Sequence, residues 1–241
     1  MPNILNEILD ELEQKYADSS IELLFKGIIQ DFSGRVALLS SFGAEAAILL
    51  YYASQVDKGF PVIFLNTQKL FDETIEYKEL LVEKFGLTNV KNIYPDYVDL
   101  SRNDPDGDLW RKDAKQCCTI RKVIPLGRAL QNYDAWITGR KRYHGGIRSH
   151  LPFVEKSDGK IKINPLADWT KEDIVTFFKD KKIPPHPLVA SGYTSIGCTH
   201  CTNKREGDND PRGGRWAGQD KEECGIHLNE DGKFTPNKKS R

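Results

Sequence analysis

Five cysteines stand at positions 117, 118, 198, 201 and 224. Cys117 and Cys118 are adjacent, Cys198-Thr199-His200-Cys201 forms a Cys-x-x-Cys, and Cys224 is left over in Glu223-Cys224-Gly225-Ile226-His227. The two pairs are distant in sequence, but an α/β fold can bring them to one edge of a sheet as a four-thiolate site. A mononuclear zinc site usually takes cysteines two to four residues apart, because neighbouring side chains diverge. A [4Fe-4S] cube offers four irons, so adjacent cysteines can each take a different one. The spacing therefore favours a [4Fe-4S] cluster, against the plainer reading of unrelated thiols filling a core. Cys224, with a glycine after it and His227 three residues on, suits an accessible nucleophilic thiolate. An incidental tail cysteine is the alternative on local sequence.

Anion recognition has two candidates. Ser40-Ser41-Phe42-Gly43-Ala44-Glu45 consists largely of small residues between a strand and a helix, where backbone N–H groups can meet a phosphate or sulfate. It lacks the Gly-Lys-Ser/Thr ending of a Walker loop, and a plain tight turn explains it as well. Arg121, Lys122, Arg140, Lys141, Arg142, Arg148, Arg212 and Arg215 could clamp such a group, although most basic side chains are solvated surface.

The elements that must position these residues follow from patterning. The 241 residues, 39% of them apolar, suit one α/β domain with a small C-terminal appendage. Thirty-five basic and 35 acidic side chains cancel, which argues against a dedicated nucleic-acid or membrane binder. No apolar run is long enough to span a bilayer, and Met1-Pro2-Asn3-Ile4-Leu5-Asn6-Glu7 lacks the plan of a signal peptide. A cytoplasmic protein with reduced cysteines is expected.

Apolar spacing predicts amphipathic helices within residues 1–30, the second capped by Ser19 with Glu22. Residues 31–206 then alternate: strand 35–42, helix 44–56, strand 61–67, helix 72–85 closed by Gly86, strand 89–94, a helical stretch 120–130 and strand 135–138. This predicts a doubly wound, mostly parallel sheet with ligands at the carboxyl ends of its strands. A helix from the Thr170 cap to Asp180 ends before Pro184-Pro185-His186-Pro187. Residues 207–241, polar and glycine-rich, predict a mobile segment carrying Cys224.

Taken together, these motifs resemble the sulfonucleotide reductases, the family of adenosine phosphosulfate and phosphoadenosine phosphosulfate reductases, from about Arg35 to Leu228. The resemblance is carried by Ser40-Ser41-Phe42-Gly43, Leu65-Asn66-Thr67, Cys117-Cys118-x-x-Arg121-Lys122, Thr138-Gly139-Arg140, Cys198-x-x-Cys201, Arg212-x-x-Arg215-Trp216 and Glu223-Cys224-Gly225-Ile226-His227. It implies an adenine nucleotide α-hydrolase-like fold, Cys224 as nucleophile, and a [4Fe-4S] cluster on Cys117, Cys118, Cys198 and Cys201. It places Lys122 near the cluster and Arg140, Arg212, Arg215 and His227 around sulfate and phosphate. Ser40, Ser41, Phe42, Gly43, Leu65, Asn66 and Thr67 would meet the nucleoside. The implied reaction converts adenosine 5'-phosphosulfate to sulfite and AMP through an S-sulfonate on Cys224, resolved by thioredoxin or a similar thiol, in sulfate assimilation. Self-association is left open.

Asn66-Thr67-Gln68 stands where the family usually has Asp-Thr-Gly, and Arg142-Tyr143-His144-Gly145-Gly146 replaces its usual acidic, Gln- and Ser-containing stretch. Three alternatives remain. The substrate could be 3'-phosphorylated, or either nucleotide could be accepted: relatives restricted to the 3'-phosphorylated one generally lack the cluster, whereas some cluster-bearing relatives take both. A pyrophosphatase-loop enzyme would need Ser-Gly-Gly-x-Asp-Ser. A zinc-stapled nucleic-acid module is disfavoured by the balanced charge and the adjacent cysteines.

Overall fold

The computed structural model describes residues 2–204, 210–217, 221 and 223–227. Its centre is a six-stranded sheet in the order β3-β2-β1-β4-β6-β5, with β1 Val36–Ser40, β2 Val62–Leu65, β3 Val90–Ile93, β4 Ala135–Ile137, β5 Val154–Ser157 and β6 Lys160–Ile163. Every pairing is parallel except β5 with β6, which makes an antiparallel edge.

Both faces of the sheet are covered, and the strand residues sort between them with the expected period of two. Val36, Leu38, Val62, Phe64, Ala135 and Ile137 join the larger core. It is built with α1 (Pro2–Tyr16), α2 (Ile21–Asp31), α3 (Ala47–Val56), α4 (Asp72–Phe85) and α9 (Lys171–Asp180). Ala37, Ile63, Leu65 and Trp136 face the other way, onto α8 (Ile124–Ala129). Leu12, Tyr16, Leu24, Phe25 and Ile28 lie within the larger core, so the first two helices complete this layer of the domain.

Strand order reverses at β1: β2 and β3 are laid down on one side and β4 on the other. The crevice between the carboxyl ends of β1 and β4 is the topological switch point, where doubly wound sheets bind ligands.

Local signals account for several boundaries. Gly86 ends α4 at φ 64, a left-handed cap that side chains resist. Thr170 and Asp173 form a reciprocal capping box on α9. Other boundaries correct the sequence reading. Ser20, not Ser19, caps α2 by accepting from the Leu23 N–H, while the Ser19 hydroxyl donates to the Tyr16 carbonyl. The helix expected from residue 44 starts at Ala47.

The region between β3 and β4 holds three short helices, α5 (Tyr97–Asn103), α6 (Leu109–Lys112) and α7 (Ala114–Cys118), then a π-helical turn at Thr119–Val123 leading into α8. The β5–β6 hairpin was not anticipated. Its turn is Asp158-Gly159, both at positive φ, the pair that closes tight hairpins.

Candidate active site

Three loops at the carboxyl ends of the strands wall one cleft of about 220 Å³. After β1, the Ser40 hydroxyl accepts from the Phe42 N–H and that of Ser41 from the Gly43 N–H, two tight side-chain turns that put Phe42 at φ 49. Phe42 is thereby turned into the core, edge-on to Phe64, while Ser40, Ser41 and Gly43 face the cleft. After β2, Leu65 and Thr67 line the cleft; Asn66 is not among the lining residues, and its side chain accepts from the Gln68 N–H. After β4, Thr138, Gly139, Arg140 and Lys141 complete the third wall.

The stretch that departs from the family pattern braces this wall. Gly145 takes φ 69 with ψ −167, a backbone reserved for glycine, and Tyr143, His144 and Lys141 all converge on Glu45 of the β1–α3 loop. Burial opposes ionisation of Glu45, but Lys141 and His144 outweigh it and hold the carboxyl far below its ordinary range.

The C-terminal segment closes the cleft. Thr202 bridges to Arg215, Asn203 N–H donates to the Gly214 carbonyl, and Trp216 N–H donates to the Cys201 carbonyl. A side chain at Gly214 would sit 2.2 Å from the Asn203 carbonyl oxygen, so only glycine fits there. Arg215 lies over the buried Trp216 ring at 4.4 Å, with its Nε donating to the Cys201 carbonyl. Arg212 and Arg215 line the cleft half-buried, on the wall where the resemblance places them. Where it is described, the segment read as mobile is packed, and Cys224 is buried against Cys118, Cys198, Cys201 and Trp216. The remainder of 207–241 lies outside the described residues.

All five cysteines are free and buried. Cys117, Cys118, Cys198 and Cys201 surround a second, smaller cavity beside the cleft, together with Lys69, Trp110, Arg121, Lys122 and His200. Two contacts tie the Cys198–Cys201 segment to the loop after β2: Leu70 bridges to Cys198, and Thr199 N–H donates to the Lys69 carbonyl. The Thr67 hydroxyl lies 3.2 Å from Cys198 Sγ, and Lys221 Nζ donates to Cys118 Sγ at 3.1 Å. Arg121 fixes the frame, since its buried guanidinium donates to Asp104 at 2.5 Å and to the Thr67 carbonyl at 2.9 Å. Among the described residues, no three His, Cys, Asp or Glu side chains gather closely enough for a single ion. Four thiols around a common space, with cations beside them, are a donor set that fits a cluster.

Lys122 lines both cavities. Burial works against its charge, but Cys198, Cys224 and Cys118 prevail and raise its pKa. Cys224 borders the main cleft, hydrogen-bonded to Cys118; that bond lowers the Cys224 pKa well below its ordinary value, burial opposes it and Lys122 adds to it. The Cys118 pKa rises in turn.

The cleft is strongly cationic, and some of its buried nitrogens have no partner in the protein. The Nη1 of Arg140 and the Nδ1 of His227 are buried without protein partners, although both side chains line the cleft. Buried polar groups without partners cost stability, and a ligand in the cleft can satisfy them. Burial, then Arg148 and Arg212, push Arg140 down to about 9, leaving it protonated at neutral pH. Burial and Arg140 keep His227 neutral, stacked over Trp136 at 6.3 Å. Arg148, which the sequence offers only as one of several possible anion clamps, instead forms a buried pair with Glu223, with Nε–Oε2 of 2.5 Å. The signal available was Glu223 beside Cys224, but its partner is 75 residues away.

Residues 35–204 match the family described as phosphoadenosine phosphosulfate reductase domain. The chain is 44% identical over 208 residues to a protein of Mesorhizobium japonicum named adenosine 5'-phosphosulfate reductase, covering 86% of this chain and 82% of the relative. It is 37% identical over 229 residues to one of the same name from Mycolicibacterium smegmatis, covering 94% and 96%. A phosphoadenylyl-sulfate reductase from Candida auris, solved as a phosphate complex, shares the fold with a TM-score of 0.68 at 23% identity, over 80% of this chain and 95% of that one. The FMN adenylyltransferase of Candida glabrata shares it more distantly, with a TM-score of 0.55 at 16% identity over 85% of this chain and 75% of that one.

Proposed function

Because the chain belongs to the phosphoadenosine phosphosulfate reductase family, we propose that it is the oxidoreductase that reduces adenosine 5'-phosphosulfate to sulfite in sulfate assimilation, with Cys224 as its nucleophile. The observation that carries this reading is the position of Cys224: the one cysteine on the wall of the cation-lined cleft, while the other four surround the neighbouring cavity.

The thiolate of Cys224 attacks the sulfur of the nucleotide; an S–S bond forms, the bond from sulfur to the phosphate oxygen breaks, and AMP leaves with that electron pair. A thiolate of thioredoxin or a similar dithiol then attacks Cys224 Sγ and expels sulfite. The second thiol of the donor resolves the mixed disulfide, supplying the two electrons. Lys122, Arg140, Arg215 and His227 bind and orient the anionic groups, and Lys122 also favours the Cys224 thiolate. Cys117, Cys118, Cys198 and Cys201 would hold a [4Fe-4S] cluster, which would supply a fixed electrostatic environment beside the sulfonate. Five free cysteines suit a reducing compartment, and we place the protein in the cytoplasm. Among the described residues, no helix is long and apolar enough to cross a membrane.

The test is a trapped intermediate. Wild-type protein with nucleotide and no reductant should gain one SO₃ group, about 80 Da by composition, on the peptide containing Cys224, with AMP released. Thioredoxin should then liberate sulfite. Cys224→Ser should bind nucleotide and release no sulfite; an adduct on another cysteine, or sulfite from Cys224→Ser at the wild-type rate, would refute the assignment.

A further inference from the structure

Glu223 is buried beside Cys224, yet neither of the two displacements needs a carboxylate there. Its charge faces two guanidinium forks. Arg148 donates from Nε to Oε2 at 2.5 Å and from Nη2 to Oε1 at 2.9 Å, and Arg212 donates from Nη1 to Oε2 at 3.0 Å and from Nη2 to Oε1 at 3.3 Å. A fifth donor is the Cys224 backbone N–H, 2.8 Å from Oε1. On the reading of Cys224 as nucleophile, we propose that Glu223 is a positioning residue: gripped by Arg148 of the sheet domain, its carboxylate latches the Cys224 segment over the cleft and sets the backbone at the attacking sulfur.

Arg148 belongs to the β4–β5 connection, while Arg212, Glu223 and Cys224 belong to the C-terminal segment, so the Arg148–Glu223 pair joins the two. A bidentate fork fixes direction as well as distance. The same carboxylate holds the Cys224 N–H, so the orientation set by Arg148 passes to the nucleophile within one residue. The latch also leaves the cleft able to bind substrate, since Arg140 Nη1 and His227 Nδ1 have no protein partner. Glu223 therefore need not be displaced by the incoming anion.

Glu223→Gln keeps the shape but removes the charge and turns an N–H₂ toward a guanidinium. In full-length protein without nucleotide, iodoacetamide labelling of Cys224, read by peptide mass spectrometry, should speed up about tenfold or more. With adenosine 5'-phosphosulfate and thioredoxin, kcat should fall about tenfold or more while KM stays within about threefold, because substrate still binds and the nucleophile is misplaced. Glu223→Asp, which keeps the charge on a shorter stem, should recover part of both. Wild-type labelling of Cys224 in Glu223→Gln, or a raised KM at unchanged kcat, would overturn the latch. If Glu223→Gln does not fold, Arg148→Lys, which keeps a cation and loses the fork, must show the same gain in labelling; a wild-type rate there overturns it equally. Absence of sulfite release from wild type would instead sink the functional reading, and the labelling would still judge the latch.

Discussion

Arg121→Met tests whether the frame between the two cavities is electrostatic. The Arg121 side chain is 5% exposed and that of Asp104 not at all. Arg121 spans from Asp104 to the Thr67 carbonyl and so ties the helical stretch carrying Cys117 and Cys118 to the loop after β2. Removing one partner of a buried pair leaves an uncompensated charge, and about 3–5 kcal/mol of stability should be lost. Arg121→Met with Asp104→Asn should lose less, since no buried charge is then left alone.

The sign of the pH dependence is fixed by Asp104. Burial raises its pKa, but hydrogen bonds from Arg121 and the Leu109 N–H outweigh that and leave it below the ordinary value. In wild type its stabilisation is therefore present above the unfolded value and lost as pH falls through the lower folded one. Without Arg121 the folded pKa rises, protonation relieves the stranded charge, and the deficit of the variant should be smaller at about pH 4.5 than at about pH 7. Urea unfolding followed by tryptophan fluorescence at both pH values measures it. A loss under about 1 kcal/mol at neutral pH, the range of an exposed pair, or a deficit that does not shrink on acidification, would refute the reasoning.

Arg215→Ala should weaken nucleotide binding by about 1.5–3 kcal/mol, measured by calorimetry with AMP, as expected for a lost hydrogen bond to a charged group. Gly197→Ala should weaken it in the same direction without touching a charge, because its Cβ would lie 2.5 Å from Arg215 Nη2. Replacing Cys117, Cys118, Cys198 or Cys201 by Ser should bleach the brown colour expected of the anaerobic protein and lower its iron and sulfide content; a colourless wild type carrying zinc would remove the cluster. Thr170→Ala should cost about 1 kcal/mol of stability in thermal or urea unfolding and leave sulfite release unchanged, since it breaks only the α9 cap.

The sequence made the alternating half of the fold legible, because β1, β2 and β4 are short apolar runs between helices with clear stops such as Gly86. The hairpin is marked only by Asp158-Gly159, because its strands mix charged with apolar residues and two of the charged ones, Lys162 and Glu155, are buried beside Arg140. Phe42 shows the limit of a motif. It lies inside a recognisable loop, but two serine turns twist its ring into the core. The Arg148–Glu223 pair was hidden for another reason, since no local pattern announces a contact made only when the chain closes on itself.

The order of the parts along the chain also bears on how the protein is made. The last strand among the described residues ends at Ile163 and Cys224 follows roughly sixty residues later, so in synthesis from the N-terminus, where domains fold as units, the sheet and the β1–β4 crevice can form before Cys224, the proposed nucleophile, leaves the ribosome. A nascent or prematurely terminated chain would then carry the crevice without the thiol proposed to attack in it. On this view reactivity is acquired last, and an unfinished molecule cannot strand a sulfonate on itself.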